Sequence, residues 1–364
     1  MMGQSMIPAA KPLIGDEERA AVDRVLASGM IAQGPEVAAF ESEFAAELVG
    51  GRTCVAVNSG TSGLHLGLLA AGIGPGDEVV VPSFTFAATA NSVALAGATP
   101  VFADIDATTF CLDAASVEEV LTERTAAIMP VHLYGHPADM SALRELADRR
   151  GVRLFEDAAQ AHGATWQGAP VGSFGDFAMF SLYPTKNMTS GEGGMVSCAS
   201  EEIARNVRLL RNQGMERRYE NEVVGFNSRM TDVHAAIGRV QLRKLPAWTA
   251  QRRANADFLS AHLDGVGVPV VADGATHVWH QYTIRVPEGR DAFAQALAAE
   301  YGVGSGVYYP IPNHELPSFG VAADLPVTAR ACAEVLSLPV HPALSQEDLE
   351  RIVTGVNALA KAGA

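Results

Sequence analysis

The stretch FSLYPTKNMTSGEGGMV, residues 180–196, places one lysine between a strand-like run and a glycine-rich turn. Strand-forming residues fill positions 177–182, and Lys186 follows a few residues later among uncharged neighbours. Most lysines of globular proteins lie on solvated surfaces. Partial burial beside Tyr183 and Met188 would lower the pKa of this lysine toward nucleophilic reactivity. The stretch therefore predicts a reactive lysine at the end of a strand.

The composition limits the class of protein. The 364 residues are 48% hydrophobic and 18% charged, which predicts a large core and two domains. A net charge of −15 argues against a nucleic-acid-binding surface, which would be basic. Four widely spaced cysteines without a C-x-x-C pair predict buried thiols in a reducing compartment. Without a basic, apolar leader or an apolar run of about 20 residues, the sequence predicts a cytoplasmic protein with no membrane span.

Short apolar runs alternate with segments of helical spacing over the first 200 residues. The predicted strands are Glu78–Val81, Pro100–Asp104, Ala126–Val131, Val152–Glu156, Asp176–Leu182 and Met195–Cys198. The predicted helices between them include Gly63–Ala71, Ala87–Ala96, Ser116–Leu121 and Met140–Arg149. Strands that alternate with helices form βαβ units, and continuous apolar strands are covered on both faces. The pattern predicts an α/β fold with a mostly parallel sheet between helices.

The rest of the chain has a different pattern. A long helical stretch, roughly Thr231–Leu263 with a break at Pro246, leaves the predicted sheet. Strands near Tyr282–Val286 and Gly306–Tyr309 and a terminal helix from Ser345 then predict a smaller C-terminal α+β domain. We therefore expect a large domain of residues 1–245 and a small domain of residues 246–364.

In a parallel sheet, ligands bind beyond the carboxyl ends of the strands. Three features of the predicted large domain are expected to lie there, at one edge of the sheet. Residues 60–63, GTSG, begin a helix and offer free N–H groups to an anion. Asp157 and Lys186 each follow the end of a strand. Taken singly, GTSG and Asp157 also fit ordinary helix or turn caps.

The three features together match the requirements of pyridoxal 5'-phosphate (PLP). This cofactor needs an anion site for its phosphate, a lysine that bonds it covalently, and a carboxylate that keeps its pyridine nitrogen protonated. The phosphate-loop motif G-x-x-x-x-G-K-[ST] of NTPases is absent from the sequence, and no G-x-G-x-x-G follows the first strand. The combination favours PLP chemistry over nucleotide hydrolysis or hydride transfer.

The sequence resembles the nucleotide-sugar aminotransferases of the DegT/StrS type, which are PLP enzymes of fold type I. The resemblance covers nearly the whole chain through GPEVAAFESEFA, VNSGTSGLHLGL, GPGDEVVVPSFTFAATANSV, PVFADID, PVHLYGHPADM, FEDAAQAHGA, SLYPTKNMTSGEGGMV, GFNSRMTDVHAAIGRVQL, VYYPIPNH and LSLPVHP. It implies transfer of an amino group from an amino acid, with L-glutamate expected before L-glutamine, to a nucleotide-linked keto-sugar. The cofactor would cycle between PLP and pyridoxamine phosphate.

The resemblance also implies roles for individual residues. Lys186 and Asp157 are expected to be catalytic, as the cofactor lysine and the partner of the pyridine nitrogen. The other expected cofactor contacts are Thr61, Ser62 and Ser181 at the phosphate, Phe86 stacked on the ring, Gln160 near the ring hydroxyl, and Asn227 reaching the phosphate from the neighbouring subunit. His162, Tyr183 and His314 are expected to bind the sugar substrate. The expected assembly is a homodimer with shared active sites.

Several alternatives stay open at this stage. Phe86 fits a core aromatic residue, and His162 and His314 equally fit structural histidines. His277 and His280 have a spacing seen in metal sites, but without further ligands a structural role is favoured and no metal is expected. A keto-cyclitol or another antibiotic precursor is an alternative acceptor. A sugar dehydratase of the family would carry histidine in place of Lys186, and a regulator would be expected to lose Lys186 or Asp157.

Overall fold

A computed structural model describes residues 5–363. The described residues form eleven α-helices: α1 (Asp16–Ser28), α2 (Pro35–Leu48), α3 (Gly60–Ala70), α4 (Ala88–Leu95), α5 (Ala114–Val120), α6 (Met140–Arg150), α7 (Glu201–Arg211), α8 (Asp232–His262), α9 (Arg290–Tyr301), α10 (Pro326–Glu334) and α11 (Gln346–Gly363). They also form twelve strands: β1 (Thr53–Val57), β2 (Glu78–Pro82), β3 (Thr99–Ala103), β4 (Thr125–Ile128), β5 (Arg153–Asp157), β6 (Thr165–Trp166), β7 (Ala169–Pro170), β8 (Phe177–Ser181), β9 (Gly194–Cys198), β10 (Ala275–Thr276), β11 (Tyr282–Arg285) and β12 (Val335–Leu338). Short 3-10 helices lie at Leu133–Gly135 and Asn313–Glu315.

Seven strands form the central sheet in the order β1-β9-β8-β5-β4-β2-β3. The pairs from β8 to β3 are parallel, and β9 is antiparallel to both of its neighbours. This confirms the α/β fold with a mostly parallel sheet. Each of the six predicted strands is present within a few residues of its expected bounds. Strand β1, a five-residue strand at the edge of the sheet, was not predicted from the sequence.

Both faces of the sheet are covered, as the continuous apolar strands predict. On one face, Val79 and Val81 pack among residues of α3, α4 and α7. Val80 points to the other face, among residues of α5 and α6, and α2 and α8 cover the neighbouring strands. The sheet is therefore the middle layer of three, which leaves its strand ends as the open place for a site.

Helix α8 runs without interruption through Pro246, so the predicted break at this proline is wrong. A proline inside a helix removes one hydrogen bond and costs about 3 kcal/mol. Leu242, Leu245 and Thr249 are buried on either side of it. Packing of these side chains offsets the lost bond. The expected domain boundary between residues 245 and 246 falls inside this helix and stays a prediction.

The C-terminal region contains a separate two-stranded antiparallel sheet of β11 and β12, which shares an apolar cluster with α9 and α11. The predicted strand at 306–309 is wrong, since only Gly306 forms a bridge, to Ser337. Pro310 and Pro312 have no N–H to continue a ladder, so the chain turns away here. Strand β12 was not predicted from the sequence.

Two further expectations concern the chain as a whole. Its four cysteines are buried and unpaired, which confirms the prediction of free buried thiols: Cys54, Cys111, Cys198 and Cys332. Burial raises the pKa of Cys111, Cys198 and Cys332 to about 12. Within residues 5–363, no helix combines the length and apolar character needed to cross a membrane.

Candidate active site

A cavity of about 590 Å³ opens at the carboxyl ends of β5 and β8. It is lined by seven of the residues expected from the sequence: Thr61, Phe86, Asp157, Gln160, Ser181, Tyr183 and Lys186. These residues come from four separate segments of the chain. The parallel strands bring them together because their carboxyl ends share one edge of the sheet.

The first turn of α3 forms one wall of the cavity. The Ser59 hydroxyl caps the helix by accepting a 3.1 Å hydrogen bond from the Ser62 N–H. No described residue accepts a hydrogen bond from the N–H groups of Gly60 and Thr61. A Cβ on Gly60 would lie 3.3 Å from the Ser181 hydroxyl oxygen, so glycine keeps space between the helix and β8. The free N–H groups of Gly60 and Thr61 and the hydroxyls of Thr61 and Ser181 form an anion cradle, a set of donors suited to a phosphate.

Asp157 ends β5 and presents a buried carboxylate to the cavity. Its Oδ2 accepts a 2.8 Å hydrogen bond from the Thr89 hydroxyl, and its Oδ1 accepts a 3.1 Å bond from the Ala159 N–H. Burial raises the pKa of Asp157, while these two donors and the Lys186 charge oppose the increase. Each oxygen retains capacity for one more donor, such as a protonated ring nitrogen.

Lys186 lies on the loop between the antiparallel strands β8 and β9, and its side chain enters the same cavity. Burial lowers the pKa of Lys186 to about 8, although the charge of Asp157 opposes this decrease. The next residue anchors the loop, since the Asn187 side-chain amide donates to the Val278 carbonyl at 2.8 Å. A lysine with a pKa near 8 is available as a neutral amine near neutral pH.

Gln160 is fixed between two tyrosines that line the cavity. Its Oε1 accepts a 2.7 Å bond from the Tyr134 N–H, and its Nε2 donates to the Tyr309 hydroxyl at 2.9 Å. The ring of Phe86 is 61% exposed and lies 6.3 Å from the ring of Tyr309, centroid to centroid. An exposed aromatic ring at the mouth of a cavity suits a stacking surface better than a core position.

Four of the expected site residues do not line this cavity. The Ser62 side chain bonds to the Ser59 hydroxyl at 3.0 Å, and Asn227 lies exposed on the segment that follows α7. His162 is fully buried against Phe44 and Phe180, and burial lowers its pKa to about 3. His314 is held by the Ser83 hydroxyl at 2.7 Å.

Several residues of the site were not predicted from the sequence. Thr89 bonds to Asp157, and Tyr134 and Tyr309 bond to Gln160. His280 lines the cavity. Tyr134 lies in PVHLYGHPADM and Tyr309 lies in VYYPIPNH. Both motifs carry the family resemblance, but neither indicated a role for its tyrosine. His280 was assigned a structural role together with His277, and only the tertiary structure separates the two.

The cavity fits PLP by an observation independent of the sequence motifs. Its anion cradle, its carboxylate and its amine line one space, and Gly60 leaves room between the cradle and the side chains of β8. The N–H groups and hydroxyls suit a phosphate, and the Asp157 carboxylate suits a protonated pyridine nitrogen. The residues present are the donor set that this cofactor requires.

The fold and this site define the class of protein, an α/β aminotransferase. The chain belongs to the DegT/DnrJ/EryC1/StrS aminotransferase family, whose sequence profile matches residues 12–357. This confirms the family resemblance identified from the motifs.

Similar proteins of known name or structure cover nearly the whole chain. The dTDP-3-amino-3,4,6-trideoxy-alpha-D-glucose transaminase of Streptomyces venezuelae is 43% identical over 98% of this chain and 95% of its own length. The UDP-N-acetyl-3-dehydro-alpha-D-glucosamine 3-aminotransferase of Acidithiobacillus ferrooxidans is 44% identical over 93% of this chain and 92% of its own. A crystal structure of S. venezuelae DesV in complex with a ketimine intermediate matches with a TM-score of 0.92 and 42% identity, covering 98% of this chain and 99% of that chain. Other matching structures, at 28% and 32% identity, are described in their pyridoxamine phosphate forms.

Proposed function

We propose that this aminotransferase moves an amino group from an amino acid, with L-glutamate as the first expected donor, to the keto group of a nucleotide-linked sugar. PLP would serve as its cofactor and pass through pyridoxamine phosphate between the two half-reactions. The observation that carries the proposal is that Lys186 and Asp157 line one cavity with an anion cradle. The named nucleotide-sugar aminotransferases among the relatives support the substrate class.

The cofactor, when bound, would supply an electron sink for the electrons released at the substrate carbon. Lys186 would bond it and, once displaced, move a proton between two carbon atoms as a general base and acid. A pKa of about 8 suits this exchange because both forms of the amine are accessible near neutral pH. Asp157 would keep the ring nitrogen protonated by its negative charge.

The remaining contacts would orient the cofactor. Thr61 and Ser181 would hold the phosphate, and Ser62 would join them once its hydroxyl turns away from Ser59. Phe86 would cover the ring and Gln160 would bond its hydroxyl. Asn227 would reach the phosphate of the neighbouring subunit in a homodimer with shared sites, which is consistent with its exposure outside its own cavity. We keep the cytoplasm as the proposed location.

The sugar would enter past Tyr183, which is 48% exposed at the cavity. His162 and His314 stay proposed substrate residues, each requiring a rearrangement or an indirect effect because neither side chain lines the cavity. The lysine at 186 argues against the dehydratase alternative. No observation favours a keto-cyclitol or another precursor over a nucleotide-linked sugar.

The test is a screen of nucleotide-linked 3-keto and 4-keto sugars with L-glutamate as donor, followed by mass spectrometry of the products. We expect an amino sugar and 2-oxoglutarate in equal amounts from at least one acceptor, and neither product from Lys186→Ala. Amination of keto-cyclitols alone would contradict the proposed substrate class.

A further inference from the structure

Lys186 is the only cation among the cavity-lining residues that the structure describes, and no arginine lies among them. An α-amino acid donor brings a carboxylate on the carbon that bears its amino group. That carboxylate must therefore bind within a few ångströms of the Lys186 amine, which the amino group of the donor would displace. Lys186 itself is released in that step, so the carboxylate needs a different donor.

His280 lines the cavity and is 6% exposed. Its Nδ1 is buried without a hydrogen-bond partner among the described residues, which leaves Nε2 as the ring nitrogen that can reach the cavity. A buried N–H without a partner is rarer than a buried acceptor without one, so the favoured tautomer carries its hydrogen on Nε2. His280 then presents one N–H to the cavity.

The charge state of His280 supports this arrangement. Burial lowers its pKa well below the ordinary value, and the nearby charges of Lys186 and Arg252 lower it further. The ring therefore stays neutral at physiological pH, with a fixed hydrogen on one nitrogen. His280 and Lys186 line the same cavity.

Several backbone contacts hold His280 in place. The Val278 carbonyl accepts from Asn187, next to Lys186, and the Trp279 carbonyl accepts from the Arg252 guanidinium at 3.0 Å. The Val278 N–H donates to the Gly135 carbonyl at 3.0 Å, on the turn beside the cavity.

The backbone on either side of the cavity is also strained. Trp279 has a φ of +50° and Tyr134 a φ of +59°. Residues in this left-handed region cost free energy and persist where the surroundings fix them, often at functional sites. These contacts hold residues 278–281 in one conformation and so position the His280 imidazole in the cavity that Lys186 also lines.

We infer that His280 binds the α-carboxylate of the amino-acid donor through its Nε2–H, beside Lys186. This inference rests on the proposed function, because it assigns a residue to the donor half-reaction. A neutral N–H donor in this position would bind the carboxylate without placing a second positive charge beside Lys186.

The test compares wild type, His280→Leu and His280→Gln. Leucine removes the donor, whereas the glutamine Nε2 lies at a similar distance along the side chain and retains one. The first readout is calorimetric binding of 2-methyl-L-glutamate to the PLP-loaded enzyme, since this analogue lacks the α-hydrogen and cannot be turned over. We expect the dissociation constant to rise about tenfold or more in His280→Leu and much less in His280→Gln.

The second readout uses L-glutamate and 4-aminobutyrate, which is glutamate without its α-carboxylate. His280→Leu should slow the half-reaction with L-glutamate and leave that with 4-aminobutyrate unchanged. Thermal melting and cofactor absorbance verify that each variant is folded and loaded. Equal binding of the analogue by wild type and His280→Leu, or equal loss with both amines, would overturn the inference. No reaction of wild type with L-glutamate would instead contradict the proposed donor.

Discussion

The Thr89 hydroxyl donates a 2.8 Å hydrogen bond to Oδ2 of Asp157, and both side chains are buried. This bond joins the first turn of α4 to the end of β5. It fixes the plane of the carboxylate and stabilises its charge, which burial alone would suppress. Thr89 therefore orients the group that we propose to pair with the pyridine nitrogen.

Thr89→Val removes this donor with little change in volume. Because the hydrogen bond lowers the pKa of Asp157, its loss should raise that pKa, and the acidic limb of the kcat/KM profile should move to higher pH. We expect turnover to fall about tenfold, the value of one hydrogen bond to a charged group. Thr89→Ser keeps the hydroxyl and should retain the wild-type profile. An unchanged pH profile in Thr89→Val would mean that Thr89 does not influence Asp157 during the reaction.

Labelling of the cofactor-free enzyme tests the state of Lys186. The chain has four lysines, Lys11, Lys186, Lys244 and Lys361, so peptide mass spectrometry resolves each of them. With a pKa of about 8, Lys186 should react with trinitrobenzenesulfonate at about half of its maximal rate near pH 8. Asp157→Asn removes the charge that raises this pKa, so reactivity at pH 7 should increase.

Lys244, which pairs with Glu18 at 2.9 Å, serves as the internal reference in the same samples. Its labelling should not respond to Asp157→Asn. Borohydride reduction of the PLP-loaded enzyme should in addition leave a stable adduct on Lys186. An adduct on any other lysine would refute the proposed role.

Glu156, next to Asp157, stabilises the fold from the opposite face of β5. Its fully buried carboxylate accepts 2.8 Å bonds from the N–H groups of Gly172, Phe174 and Gly175 and a 3.1 Å bond from His132. The Ala138 N–H donates to His132 Nδ1, so the hydrogen on Nε2 points to Glu156. Burial raises the pKa of Glu156, but these donors outweigh it and the net pKa is lowered.

Glu156→Gln should destabilise the protein by about 3 kcal/mol at pH 7, because an amide cannot accept all four bonds. A lowered folded-state pKa contributes stability above the unfolded pKa and loses it as pH falls through the folded value. The difference in the free energy of unfolding between wild type and Glu156→Gln should therefore become smaller below about pH 4.3, the ordinary glutamate pKa. Urea unfolding at pH 7 and at acidic pH measures this; a constant difference would contradict the ionised carboxylate.

Hybrid dimers test the proposed sharing of active sites. The Ser228 carbonyl accepts a 2.9 Å bond from the Asn58 N–H, which holds the Asn227 segment beside β1 while Asn227 stays outside its own cavity. Lys186→Ala chains mixed with Asn227→Asp chains should form heterodimers with one doubly defective and one intact site. Activity should return to about half of wild type per heterodimer, because the aspartate repels phosphate only in the site it reaches.

Each variant must first be nearly inactive as a homodimer, and chain exchange must be shown by mass spectrometry of the mixture. Exchange without recovery would mean that Asn227 serves the site of its own chain or none.

The local sequence predicted the sheet well because its strands are short apolar runs bounded by turns, and this pattern is independent of distant residues. The errors lie where tertiary packing decides the outcome. Pro246 predicts a break, but buried neighbours hold α8 together. Residues 306–309 have strand-like composition, yet Tyr308 and Tyr309 line the cavity and do not extend a strand.

The sequence by itself determined which residue types stand at the strand ends, and so the nature of the chemistry. Lys186, Asp157 and the GTSG turn were predicted to meet because parallel strands end at one edge of the sheet. Only the tertiary structure separated His280, which lines the cavity, from His277, whose ring stacks on Trp279 at 3.9 Å. Two histidines three residues apart carry the same local signal. Their roles depend on long-range contacts such as that from Arg252 to the Trp279 carbonyl, which short-range spacing does not encode.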